Sequence, residues 1–365
     1  MTECSLSRRG SIAQGGPFRD PSPRTRARRV RTGVSGLVAI LFAMMVACER
    51  PEIAPAGAPI KVRVMIQPYL GNAPILIAQE EGYFAEQGLD VELITMNAVD
   101  MAVPLLINGD LDVIAGAAAP GIMNAVLRGV AIRAVAERGS YARDGCTRLA
   151  ILTRPGLLAQ HAGKPGPPPI KRISLNALAP MLYAVDRVLA SAGVDLDTLE
   201  SVQIPDAAEM EALLDGRIDA AFTGEPWLTR AIERGAGDIW LRTEDVLPGE
   251  AYAFNFYGPR LLEREPDIGR RWMVAYLKGV RRFREGKTPE TIALVARVTG
   301  EDPAMLARMC WPTFTADGRV DPATIASYQR WAVEHGFLDR SAATVSLWDG
   351  SFVDVAVKTL ETLQR

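Results

Sequence analysis

From Ile60 onward, short apolar runs with strand-like alternation interleave with longer stretches whose apolar residues recur at helical spacing. Strands are expected over 61–67, 91–95, 112–115 and 132–136, with helices over 73–87, 99–107 and 120–127 between them. The series then restarts. A strand over 149–153 runs into a loop over 154–169 that carries Gly156, Gly163, Gly166 and several prolines, so it is expected to be irregular and exposed. Beyond it, strands over 171–175, 202–204 and 218–222 alternate with helices over 181–192 and 207–214. Strand and helix alternating in this way predict an α/β fold with mostly parallel sheets and right-handed crossovers. From Pro259 the pattern is helical, over 270–284, 289–298, 303–308, 322–335 and 352–364, with proline at or near several helix starts.

One internal echo bears on domain number. LINGDLDV at 106–113 is matched by LLDGRIDA at 213–220. In each copy an apolar helix end meets a glycine able to take the left-handed cap conformation, and a strand follows. A single copy would be an ordinary helix-to-strand turn; two copies at matching places predict two lobes of similar plan. The C-terminal helices are expected to return to the first lobe, giving lobe I from 60–152 and 258–365, lobe II from 153–257, and a two-strand hinge near Thr153 and Tyr257.

The first 48 residues read differently. Arg24, Arg26, Arg28, Arg29 and Arg31 precede an apolar run from Leu37 to Ala47 that ends at Cys48. A basic head and a short apolar core make a secretion signal, and the run is shorter than the roughly 20 residues a spanning helix needs. Residues 1–47 are therefore expected to be a removed signal peptide, and 48–59, rich in Pro and Ala, a tether. Removal of 1–47 takes away eight arginines against Glu3 and Asp20, moving the formal charge from -2 to -8. An acidic mature chain has no basic stripe for a phosphate backbone, so no nucleic-acid partner is expected. Cys146 and Cys310 would remain, either as a disulfide or as two buried thiols, and no metal-type cysteine spacing exists.

The stretch NAPILIAQEEGYFAEQGLDVE at 72–92, the NGDLD at 108–112, and DGRIDA at 215–220 followed by Glu225-Pro226-Trp227 resemble the periplasmic solute-binding proteins of ABC importers for nitrate, taurine, alkanesulfonates and thiamine-pyrimidine precursors. Met45-Val46-Ala47-Cys48 is similar to a bacterial lipobox, implying lipidation of Cys48. The resemblance implies a type II two-lobe fold and a monomer held to the membrane by that lipid, exported to the periplasmic or cell-surface side. It implies further that a small solute is captured by lobe closure and handed to a permease with its ATPase subunits. No cofactor is expected.

In such a fold the solute lies at strand ends and helix N-termini, where backbone N–H groups are unpaired. Candidates are Tyr69, to stack on or hydrogen-bond the solute; Asn72, which binds solute or caps the first helix; Ala117 and Ala118, for backbone N–H groups and little bulk; and Ser140, Tyr141 and Asn176. Glu225 is a candidate acceptor for a solute amine and Trp227 a stacking wall, with helix cap and core residue as their structural alternatives. Where the resembled family shows a small hydroxyl residue this chain has Asn176-Ala177-Leu178-Ala179, which, with Glu225, keeps aminopyrimidine-like solutes beside oxyanions. An enzyme, or a ligand sensor of the same fold, is the rival reading. Against an enzyme, His161 falls in the Pro/Gly loop and His335 at a helix end, and no G-x-S-x-G, H-E-x-x-H or P-loop motif occurs. Glu225 with Asp206 or Glu209 would be the remaining acid–base candidates, and such carboxylates are usually solvated.

Overall fold

The computed structural model describes residues 57–141, 146–175, 178–339, 341 and 345–363. The expected signal, tether and Cys48 lie outside them. Within them, the strands are β1 (Ile60–Ile66), β2 (Leu89–Thr95), β3 (Val113–Gly116), β4 (Arg133–Ser140), β5 (Leu149–Thr153), β6 (Arg172–Ser174), β7 (Glu200–Val202), β8 (Ala220–Gly224), β9 (Asp238–Arg242) and β10 (Ala251–Tyr257). They form two five-stranded sheets of the same plan, ordered β2-β1-β3-β10-β4 and β7-β6-β8-β5-β9. In each, one strand runs antiparallel to its neighbours: β10 against β3 and β4 in the first, β5 against β8 and β9 in the second.

The echo at 106–113 and 213–220 is a shared stitch. Gly109 and Gly216 take the left-handed conformation, with φ of 84° and 67°. Asp112 N–H donates to the Arg63 carbonyl (2.9 Å) and its carboxylate accepts from Arg63 N–H (2.8 Å). Asp219 does the same on the neighbouring strand, donating to the Arg172 carbonyl (2.9 Å) and accepting from Lys171 and Arg172 N–H. One aspartate per half thus ties the returning strand to its parallel partner.

Sheet membership moves the expected crossings. β5 belongs to the second sheet and β10 to the first, so the chain passes between sheets over 141–148 and 243–250, one strand earlier each time than the sequence pattern suggested. Periodicity marks strands but does not say which sheet they join. The expected helix over 73–87 is also interrupted: Ala73–Glu80 stops, Gly82 turns at φ 75°, and Tyr83–Glu86 follows. The loop over 154–169 contains the short helix Leu157–His161.

Helices Ala73–Glu80, Pro266–Phe283 and Ser351–Leu363 pack with the first sheet in one core that holds Trp272 and Tyr276 fully buried. Helix Pro266–Phe283 approaches closely: a Cβ at Gly279 would lie 2.1 Å from the Pro74 carbonyl oxygen. That glycine lets the long helix seat the N-terminus of Ala73–Glu80, where the candidate site begins. A second core is continuous across both sheets, joining Ile114, Phe254 and Phe256 to Ile151, Ile173, Tyr183 and Trp331. Late helices start with Thr288, Asp302 and Asp321 accepting N-terminal N–H groups, each followed by proline. Among the described residues no helix is long and apolar enough to cross a membrane.

Candidate functional site

The carboxyl ends of β1, β3 and β4 open on loops 67–72, 117–119 and 141 onward, and β10 begins beside them. Facing these from the second half is helix Ala179–Ser191. Three contacts close the two halves on one flank. The Tyr183 hydroxyl donates to Glu250 (3.0 Å), Trp331 Nε1 donates to Asp186 (2.7 Å), and the Tyr183 ring meets Tyr328 edge-on at 5.5 Å. On another flank Arg308 pairs with Glu233 (2.6 Å), Cys310 N–H donates to Glu225 (2.8 Å), and a Cys146–Cys310 disulfide ties the first crossing segment to the loop after helix Pro303–Arg308. On the first flank a cavity of about 30 Å³ is lined by Ala118, Tyr141, Tyr183, Glu250, Tyr252 and Tyr328. Beside the disulfide lies a more open groove of about 320 Å³.

Two arginines dominate the electrostatics at the end of the first sheet. Arg138, on β4, is 4% exposed. Its Nη1 donates to Asn72 Oδ1 at 2.8 Å, while its Nε is buried without a partner. Arg148, just before β5, lies with its guanidinium 4.2 Å over the Tyr252 ring, and its Nε is likewise buried and unpartnered. The Glu244 carboxylate accepts from the backbone N–H groups of Arg148 and Leu149. Among the described residues no carboxylate forms an ion pair with either guanidinium. Burial pushes the Arg138 pKa down, with Arg148 adding to the effect while Tyr252, Tyr276 and Tyr69 oppose it. Buried charges are ordinarily paired. Here Arg138 stands at the N-terminal end of helix Ala73–Glu80, whose dipole is positive at the same place, and Arg148 is near enough to act on it. All three features favour an anion.

The expected site residues distribute unevenly around this centre. Asn72 is buried, accepts from Arg138 and donates to the Gln67 carbonyl, and its side chain does not cap the helix. Ala118 and Tyr141 line the small cavity, and Tyr141 packs on Tyr252 with ring centroids 5.1 Å apart. Ala117 sits half-buried beside Ala118. Ser140 is buried at the end of β4, its N–H donating to the Thr313 carbonyl (3.0 Å). Tyr69 is 60% exposed on the loop after β1. Asn176 lies outside the described residues. Glu225 is next to Arg148, its N–H donating to the Arg148 carbonyl (3.0 Å), while its carboxylate oxygens accept from Thr229 N–H and hydroxyl and from Cys310 N–H, on the disulfide flank. These contacts tie it to its own helix and across the two halves. Trp227 opens that helix, half-buried, with the Arg230 guanidinium 4.5 Å over its ring.

Arg138, Arg148 and Tyr252 were not singled out by sequence. A signal existed, since Glu137-Arg138 follows the apolar Ala134–Ala136 within its strand and Arg148 immediately precedes another strand, but charges at strand ends are common and only the fold brings these two together. Of the remaining acid–base candidates, Glu209 is buried and accepts from the Ser174 hydroxyl (2.6 Å); burial drives its pKa up to about 7. His161 Nε2 contacts the Gly166 carbonyl (2.9 Å), and the His335 ring stacks on Trp331 at 4.4 Å.

Residues 71–140 match the NMT1/THI5 like family model, and residues 178–299 match the NMT1-like family model. No curated protein matches the chain in sequence. Among solved structures, the periplasmic aliphatic sulphonate binding protein SsuA from Escherichia coli is 16% identical with a TM-score of 0.60, covering 80% of this chain and 98% of its own. The periplasmic nitrate-binding protein NrtA from Synechocystis PCC 6803 is 11% identical with a TM-score of 0.60, covering 83% and 89%. The desulfurization enzyme DSZB is 14% identical with a TM-score of 0.59, covering 82% and 99%. At these identities the likeness is one of fold.

Proposed function

We propose that this chain, whose residues 71–140 and 178–299 match the NMT1/THI5 like and NMT1-like family models and whose fold is that of two-lobed periplasmic binding proteins, captures a small anionic solute between its lobes and delivers it to an ABC importer. The observation that carries the anion is the pair Arg138, buried, and half-buried Arg148, near enough for each charge to act on the other and forming no ion pair among the described residues. Guanidinium groups present fixed donors that match oxyanion and carboxylate geometry. Nitrate, sulfonates and taurine-like molecules fit that chemistry better than an aminopyrimidine, whose amine would face two cations.

The mechanism is lobe closure. Solute enters when the Tyr183–Glu250 and Trp331–Asp186 contacts are apart, is held first by the half carrying Arg138, and selects the closed arrangement through contacts made only when both halves meet. The cavity of about 30 Å³ holds no more than a water or two, so entry requires that opening. The closed form is the one an importer's permease and ATPase subunits would recognise. The proposed export signal at 1–47 and a lipid on Cys48 would hold the folded part at the periplasmic or cell-surface side of the membrane as a monomer.

The enzyme DSZB shares this fold, so the transport reading needs its own test. Thermal-shift screening against nitrate, methanesulfonate, taurine, acetate and an aminopyrimidine is expected to show stabilisation by one anion class, about 2.7 kcal/mol at 100 times the dissociation constant. Small-angle scattering with that anion is expected to show contraction, and turnover of the bound molecule should be absent. Superimposable scattering profiles with and without a confirmed ligand would exclude the closure mechanism.

A further inference from the structure

We infer that the Cys146–Cys310 disulfide positions Arg148 beside Arg138 whether the halves are open or closed, so that the pair receiving the anion is assembled only in the oxidised chain. The inference rests on the solute-binding reading above and deepens it by naming what assembles the site and what takes it apart.

The two arginines come from different halves. Arg138 lies on β4 in the first sheet. Arg148 directly precedes β5 in the second sheet, and its backbone is held from that side. Glu244 accepts from its N–H (2.8 Å), Glu225 N–H donates to its carbonyl (3.0 Å), and the next residue, Leu149, pairs with Gly224. Left to those contacts, Arg148 would travel with the second half whenever the halves part. Its charge and that of Arg138 also oppose one another, so nothing electrostatic in the ligand-free protein draws the pair together.

One covalent tie runs the other way. Cys146, two residues before Arg148, is bonded to Cys310 with the Cα atoms 5.9 Å apart. The loop carrying Cys310 is fixed to the first half: Lys287 Nζ donates to the Met309 carbonyl (2.6 Å), the Trp311 ring stacks on Phe283 at 4.9 Å, and the Thr313 carbonyl accepts from Ser140 N–H (3.0 Å). Ser140 is two residues beyond Arg138. A short circuit therefore runs from Arg138 through Ser140, Thr313, Cys310 and Cys146 to Arg148. The contacts that join this loop to the second half, Cys310 N–H to Glu225 and the half-exposed pair Arg308–Glu233, are non-covalent, and an exposed ion pair holds little. On opening they part while the disulfide stays.

A pair already assembled spares the solute the cost of gathering it. Without the tie, affinity falls by the fraction of molecules in which the arginines stand together. The bond is within reach of a reductant, because Cys146 is exposed and both cysteines line the open groove of about 320 Å³. A thiolate of a dithiol attacks Cys146 Sγ, the S–S bond breaks, and Cys310 leaves as a thiolate that takes up a proton. The second thiol of the dithiol then closes on the first and releases Cys146, so two electrons and two protons pass to the protein and the dithiol becomes a disulfide. Disulfides persist in oxidising compartments. A chain still in a reducing cytosol thus carries a loosened site, and an exported chain carries one ready to load.

The test is calorimetric titration of the full chain with methanesulfonate, nitrate and acetate, oxidised and after reduction by dithiothreitol, with near-ultraviolet circular dichroism to follow the fold. The anion that binds best is expected to bind the reduced protein at least tenfold more weakly. In Arg148→Met, which starts weaker, reduction is expected to change affinity less than twofold, since disulfide and arginine act as one unit. Equal affinity in oxidised and reduced wild type overturns the inference, and so does an equal loss on reduction in wild type and Arg148→Met; either leaves the solute-binding reading standing. Oxidised wild type that binds none of the three anions sinks that reading as well. Should the reduced protein unfold, or Arg148→Met bind too weakly to titrate, Thr147→Gly decides. It keeps the disulfide but puts a flexible residue between the tie and Arg148, and is expected to bind several-fold more weakly; wild-type affinity there overturns the positioning role.

Discussion

Replacing Arg138 by methionine separates the cost of the site from its use. The wild-type guanidinium is almost fully enclosed, with one side-chain acceptor, Asn72 Oδ1 at 2.8 Å, and an unpaired Nε. Its pKa is displaced downward by burial, the mark of a charge held out of water. An unpaired buried polar or charged group costs on the order of 1–3 kcal/mol, more when charged. Methionine has similar length and no desolvation cost, so Arg138→Met recovers that amount. It also strips Asn72 of its donor, losing about 1 kcal/mol. The ligand-free variant is therefore expected to be about 1–2 kcal/mol more stable than the wild type, a rise of a few degrees in melting temperature for a chain of this size. At the same time the stabilisation by the preferred anion is expected to vanish. Differential scanning calorimetry with and without that anion measures both numbers. A variant that is several kcal/mol less stable without ligand would show Arg138 to be a structural residue. A variant still stabilised by the anion would remove Arg138 from the site.

Four further outcomes follow from the geometry. The Cys146–Cys310 disulfide closes a loop of 164 residues in sequence separation, so Cys310→Ser is expected to lose about 3–5 kcal/mol of stability, read by urea unfolding with and without reductant. Glu209 has its pKa raised to about 7 from the usual carboxylate value because it is buried. Its folded form therefore holds the proton more tightly than the unfolded form, and stability is expected to fall as pH rises from about 4.5 to 7 and then level off, by at most about 3 kcal/mol. Glu209→Gln should flatten that profile in melting experiments between pH 5 and 8. Removing the Trp331–Asp186 contact of 2.7 Å with Asp186→Ala is expected to shift the ligand-free protein toward the open arrangement, seen as a larger radius of gyration; an unchanged radius would mean that this flank does not hold the lobes together. Asp112→Ala deletes the acceptor for both Arg63 N–H and the Arg260 side chain at 3.2 Å and is expected to cost about 2–4 kcal/mol, whereas the half-buried counterpart at Asp219 should cost less.

The sequence was sufficient for everything that depends on neighbours along the chain. The first strand–helix alternation, the glycine and aspartate at 109 and 112 and again at 216 and 219, and the proline-led helices near the C-terminus each act over a few residues and appear close to where the pattern put them, whereas the strands at 238–242 and 251–257 and the break at Gly82 did not show in it. The family likeness rests on the same local signals, at 72–92 above all. What depends on the return of the chain was out of reach. Nothing in residues 149–153 or 251–257 tells that the first strand joins the second sheet and the second strand the first, because pairing is set by partners far away in sequence, at 220–224 and 238–242 for the first and at 113–116 and 133–140 for the second. Glu225 looked like a site carboxylate because its loop position is that of a strand end; only the approach of Cys310 from the other half turns it into a tie between lobes. Conversely, Arg138, Arg148 and Tyr252 are unremarkable one at a time, each a polar residue at the edge of an apolar run. Their meaning comes from burial without partners, a property of the folded interior and not of any window of sequence. The sequence by itself determined most of the elements, the two-lobe plan and the family resemblance; the tertiary structure decided which side chains of distant segments meet, because those contacts depend on how the chain returns.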